Sequence, residues 1–177
     1  MRRAVLALVS VTLAACRAGD GPAQPAQAPT PAPAPLATID DDACSIRTPL
    51  KPGVPGSPGN LLPSPINPNG VSELAALMRV MLEDVRAARA AVVEGRDPPT
   101  LGARHHKLRC SWPTQEHMRN AEFDALARAY LQAEGALDAR NPDARTAYKG
   151  LVRACIACHQ VSCEGPIPLI EELVLTE

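Results

Sequence analysis

The chain has 177 residues, with 18 Lys and Arg against 19 Asp and Glu, so its formal net charge is −1 and the two signs are interspersed. That pattern offers no basic patch suited to a phosphate backbone and sets nucleic acid aside as a partner. Aromatic residues make up only 2%, as one Trp, two Tyr and one Phe, so a core built from this chain alone would be thin.

The N-terminus reads as an export signal. Met1-Arg2-Arg3 is a short basic stretch, and residues 4–15 form an apolar run too short to span a bilayer. The run ends in Leu13-Ala14-Ala15-Cys16, which looks like a bacterial lipobox, with small residues before a cysteine that takes a diacylglycerol. Residues 1–15 are therefore expected to be removed, leaving Cys16 as a lipidated first residue that anchors the chain to the periplasmic side of a bacterial membrane, inner or outer.

Thirteen of the 19 prolines lie between Pro22 and Pro68. Residues 21–35 are almost wholly Ala, Pro and Gln and cannot bury enough apolar surface to offset their ordering entropy, so they are expected to form a disordered, extended tether. Residues 44–70 stay rich in Pro and Gly but include Ile46, Leu50, Val54, Leu61, Leu62 and Ile66, and read as irregular chain lying against a domain. The expected organisation is a signal at 1–15, a lipid-anchored linker at 16–70 and a domain at 71–177.

From Val71 onward the apolar spacing is helical. Leu74, Met78, Met81, Val85, Ala88 and Val92 step by four and three, which predicts a helix with Ser72 as N-cap and Gly95 at its C-terminal end. Asp97-Pro98 reads as an N-cap followed by proline, opening a short second helix that ends at Trp112-Pro113. Phe123, Leu126, Tyr130, Ala133 and Leu137 predict a third helix over residues 119–140. Asn141-Pro142-Asp143 repeats the cap-and-proline start of a fourth, with Tyr148, Val152, Cys155 and His159 on one stripe, fading near Cys163. Four helices, short connections and no strand pattern predict an all-α fold, an antiparallel four-helix bundle.

The most specific motif is Cys155-Ile156-Ala157-Cys158-His159. Two thiols and an imidazole on nearby helical turns suit two thioether bonds to haem vinyl groups and one axial iron ligand. A structural zinc site would want a second ligand pair, and a redox dithiol would want a βαβ setting; neither is evident in the sequence. In an antiparallel bundle His159, near the end of the last helix, and Met78, near the start of the first, reach similar heights at 1.5 Å per residue. Met78 is thus the candidate distal iron ligand, with Met81 one turn deeper as the spare. His105 and His106 are adjacent, so at most one can face the core, and surface exposure is the expectation for both. His117 and Met118 read as turn residues. Once Cys16 is lipidated and two thiols are on haem, Cys44, Cys110 and Cys163 are left; an oxidising compartment favours one disulfide among them, and each of the three pairings is open.

With these residues in view, the chain resembles the class II cytochromes c, the family of cytochrome c′ and the low-spin cytochromes c-556. The match rests on the helix order, on Cys155, Cys158 and His159 at the end of the last helix, and on Leu77-Met78 early and Glu94-Gly95 late in the first. It covers residues 71–163. The resemblance implies one covalent haem c and, by its c-556 branch, Met78 as sixth ligand; in the c′ branch that site is open and shielded by an apolar side chain. The chain departs from the pattern in its short second helix, in the 18 residues after His159 and in Cys163. The expected function is a membrane-tethered monohaem electron carrier rather than an enzyme, exchanging electrons with other redox proteins of the cell envelope, in a fold whose members often form homodimers. The alternatives are a five-coordinate haem protein that binds or senses NO or CO, and an accessory haem module of a larger oxidoreductase.

Overall fold

Helix-forming and helix-stopping signals explain the architecture. In the computed structural model, residues 39–176 are described; the expected signal at 1–15, the expected lipid site Cys16 and the expected tether at 21–35 lie outside the described residues. Helix α1 spans Glu73–Val93 and begins where Ser72 Oγ accepts the Ala75 amide at 3.2 Å. It ends in a Schellman motif, with Gly95 at φ 67° and the Gly95 and Arg96 amides returning to the Val92 and Ala91 carbonyls. Helix α3, Ala121–Asp138, starts on Asn120, whose Oδ1 accepts the Phe123 amide at 2.9 Å. Helix α4, Ala144–Ser162, starts on Asp143, which accepts the Thr146 amide at 2.9 Å. Asn141-Pro142 precedes that cap as a cis peptide, so the cap is one residue past the proline rather than one before it.

The fold is all-α, with no strand among the described residues. Three of the four expected helices are long. The second is not: where residues 97–112 predicted one helix, the chain makes the single turn α2, Gly102–His105, followed by a 3-10 turn at His106–Arg109. Asp97-Pro98 does not start it. Instead the Leu101 and Gly102 amides are accepted by the Asp138 carboxylate of α3 at 2.9 and 3.1 Å, so a tertiary cap sets the start of α2. A further short helix, α5 at Ile167–Glu171, packs against α4. There Tyr148 Oη donates to the Leu173 carbonyl at 2.8 Å, and Ile170, Leu173 and Leu175 join the core.

The start of α1, the end of the α2 corner and the start of α3 meet at one pole. The Leu74 amide donates to the Trp112 carbonyl at 2.9 Å, and Arg109 donates to Asp124 at 2.7 and 3.1 Å. Because α4 folds back along α3 after a five-residue connection, its C-terminal end, with His159, returns to the same pole. The core combines Leu74, Met81, Val85, Ala88 and Val92 of α1 with Phe123, Ala127, Tyr130 and Leu137 of α3 and Ala147, Tyr148, Leu151 and Val152 of α4.

Residues 44–70 are fastened to this pole. Cys44 and Cys110 form a disulfide, Arg119 donates to the Ser45 and Thr48 carbonyls at 2.6 and 2.8 Å, and the indole of Trp112 donates to the Lys51 carbonyl at 2.7 Å. Gly56 is needed where the strap crosses α1: at φ 90° its carbonyl accepts the Glu73 amide, and a Cβ there would lie 2.4 Å from the Glu73 nitrogen.

Candidate functional site

The site grows out of the last two turns of α4. Cys155, Cys158 and His159 sit three and four residues apart, which brings them onto neighbouring turns. Cys158 is buried, while Cys155 and His159 are half-buried. His159 Nδ1 lies 2.9 Å from the Cys163 carbonyl. A carbonyl only accepts, so Nδ1 carries the hydrogen and Nε2 keeps its lone pair, the tautomer an axial ligand requires. That hydrogen bond comes from the helix end itself: the Cys163 amide in turn donates to the His159 carbonyl, closing α4 with the ring held in place.

The two thiols are free. Burial, with a smaller contribution from the charge of Cys158, pushes Cys155 up to about 12. Burial also raises Cys158, against a hydrogen bond from Ser162 that acts the other way. Both are therefore protonated near neutrality, unlike the acidic thiols of disulfide exchange. Among the described residues, no group of three or more His, Cys, Asp or Glu side chains is arranged to hold a metal ion. A haem c needs a different arrangement, with thiols reaching the ring edge and only the imidazole reaching iron.

Leu77, Met78 and Leu82 make a half-buried apolar strip on α1, and Ala154, Cys155 and Ile156 are half-buried on α4, all packed against the core. The two sequence candidates for a thioether ligand separate here: Met81 is 6% exposed inside the core, whereas Met78 lies on the half-buried strip. Two surface hollows of about 220 and 180 Å³ are smaller than usual for a cofactor site, and neither is lined by Met78. The residues present fit a haem by their donor set, two thiols and an imidazole on neighbouring turns of one helix.

His105 is not where the sequence put it. It is fully buried, with Nε2 3.2 Å from Asp84 Oδ2 and Nδ1 2.9 Å from Tyr130 Oη. Asp84, which also accepts from Arg104, takes the Nε2 hydrogen, leaving Nδ1 to accept from the tyrosine. Both nitrogens are engaged, so His105 has no lone pair for iron. Its pKa is lowered by burial, against the raising effect of Asp84. His106 is exposed as expected, with Nδ1 3.0 Å from the Ala103 carbonyl; His117 is exposed and Met118 half-buried in a 3-10 turn at Glu116–Met118. Glu134, 4% exposed, has an Oε1 with no hydrogen-bond partner, and burial followed by the Asp138 charge raises it to about 7.

The Asp84–His105–Tyr130 chain and Glu134 were not legible as a polar cluster in the sequence, because α2 is too short for its facing to be read from periodicity. The three leftover cysteines resolve into the Cys44–Cys110 disulfide and an exposed Cys163. No helix among the described residues is long and apolar enough to cross a membrane. No protein-family model, curated protein or solved structure matches the chain.

Proposed function

We propose that this chain is a monohaem c-type cytochrome, a four-helix-type bundle with a shortened second helix that carries electrons at the periplasmic face of a bacterial membrane, to which Cys16 anchors it by lipid. The observation that carries the reading is the His159 Nδ1 bond to the Cys163 carbonyl on the helix that also bears Cys155 and Cys158. It leaves one imidazole nitrogen free on the helix that carries a half-buried and a buried thiol, both protonated.

Cys155 and Cys158 would hold the haem by thioethers, His159 would ligate one face of the iron, and Met78 the other. The group supplies reversible one-electron chemistry, and a neutral thioether ligand favours a raised potential. The chain's own residues do the rest. His159 is kept in one tautomer and orientation by the Cys163 carbonyl, and the half-buried Leu77, Leu82 and Ile156 would help exclude water from a bound haem. The Pro-rich segment would let the domain meet a donor and an acceptor in turn while staying near the membrane.

The optical spectrum of the exported protein tests this. Low-spin iron with the far-red band of thioether coordination is expected, and Met78→Ala should convert it to high-spin iron that binds CO rapidly. A high-spin spectrum in the unaltered protein would favour a five-coordinate NO or CO binding protein. Conversion by Met81→Ala but not by Met78→Ala would move the ligand one turn deeper.

A further inference from the structure

Charge is segregated among the long helices. Helix α4 carries Arg145, Lys149 and Arg153 and no Asp or Glu, for a formal +3; α3 has a formal −3, and α1 is balanced. The α4 cations are spaced four residues apart, so they form a single row about 12 Å long. Arg145 and Arg153 are exposed and Lys149 half-buried, and neither Lys149 nor Arg153 has an ion-pair partner among the described residues. Carboxylates do come near: α5 packs on α4 and is followed by Glu172, but that side chain turns to Arg86 of α1 at 3.8 Å. Among the described residues, Arg145 meets the Thr176 carbonyl, at 3.5 Å.

The row borders a shallow apolar hollow. Lys149 and Arg153 line it together with Val152, Ile156, Val174 and Leu175, a volume of about 180 Å³. Val152 and His159, seven residues apart, share one flank of α4 to within about 20°. The hollow and its cations therefore adjoin the flank that bears the proposed iron ligand.

We infer that the Arg145–Lys149–Arg153 row and the hollow beside it are the docking surface for an acidic redox-protein partner, placing that partner against the haem-bearing helix. The inference rests on the haem reading for its purpose, but the surface itself is testable without haem. A protein of net charge −1 has no overall attraction for anions, so any preference must come from such a local field.

Poly-L-glutamate is the probe for the first arm. Added to the full chain at low salt, it should shift the amide resonances of α4 around Lys149 and Arg153, and the effect should vanish once salt shrinks the Debye length to about 3 Å. Lys149→Glu with Arg153→Glu should abolish it, and the milder Lys149→Gln with Arg153→Gln should weaken it, each judged on protein with unchanged helical circular dichroism. In the second arm ferricyanide takes one electron from the reduced protein and becomes ferrocyanide. Its rate should fall as salt rises, and the double Glu variant should slow it by about tenfold or more at low salt.

Shifts that map away from α4, or that survive the double Glu variant, overturn the inference. Binding to phosphatidylglycerol vesicles through these residues without binding to poly-L-glutamate also overturns it, assigning the row to lipid headgroups. A protein that loads haem and exchanges electrons but ignores poly-L-glutamate refutes the docking surface alone. Glutamate binding at α4 in a protein that never takes up haem supports the surface and refutes the haem reading.

Discussion

Glu134→Gln should make the protein more stable above neutral pH and remove a defined part of its pH dependence. The carboxyl is 4% exposed, Oε1 has no partner, and its pKa rises from 4.5 to about 7 through burial first and the Asp138 charge second. An acid whose folded pKa is raised binds more protons folded than unfolded between those values. Stability contributed by the protonated form is thus complete below about 4.5 and lost as pH climbs through about 7. At 1.36 kcal/mol per unit, the loss by pH 8 is on the order of 3 kcal/mol. Glutamine keeps the shape and cannot ionise. Urea unfolding followed by circular dichroism at pH 5 and pH 8 is the assay: the unaltered chain should lose roughly 3 kcal/mol more than the variant between the two. Equal losses would show that Glu134 reaches water or a proton donor, and would refute the reasoning from burial.

Other substitutions probe separate links. His105 is buried with its pKa lowered, so the unfolded chain gains the extra proton first as pH falls below about 6.5; His105→Gln should flatten the acid limb of the same stability profile, and an unchanged limb would contradict the Asp84–His105–Tyr130 assignment. Peptide mapping should recover Cys44 joined to Cys110 with Cys163 open to alkylation, and Cys44→Ser with Cys110→Ser should cost about 4 kcal/mol for a loop spanning a sequence separation of 66. Arg140, at φ 52°, occupies the left-handed position of the Schellman motif that ends α3, so Arg140→Gly should raise stability by roughly 0.5 kcal/mol despite losing the exposed pair with Asp97. A destabilised Arg140→Gly would mean that the Asp97 pair outweighs the backbone.

Long amphipathic helices were readable because their periodicity, caps and stop signals agree. Ser72, Gly95 and the Leu74, Met81, Val85 seam appear in the structure as the residues that cap, end and bury α1. The α2 corner was not readable, since its start depends on Asp138, 37 residues away from Leu101, and a single turn has no periodicity to count. His105 was misplaced for the same reason. In α3 Phe123, Tyr130 and Leu137 are buried as expected, but Ala127 and Glu134 lie deeper than the half-buried Leu126 and Ala133, which apolar character alone does not reveal when a glutamate faces inward. The cysteine pairing also lay beyond sequence, because three residues at one pole allow three bonds and only the path of residues 44–70 along Trp112 and Arg119 chooses among them.

The central claim is covalent haem on α4, and the mass of the exported chain's peptides tests it most directly. Trypsin cleavage after Arg153 leaves Cys155, Cys158 and His159 in one peptide. The account predicts that this peptide, and no other, is heavier by one haem that survives acidic organic extraction, with Cys155 and Cys158 closed to alkylation and Cys163 open. Recovery of that peptide unmodified, with Cys155, Cys158 and Cys163 all alkylatable, from cells that attach haem to other proteins would contradict it.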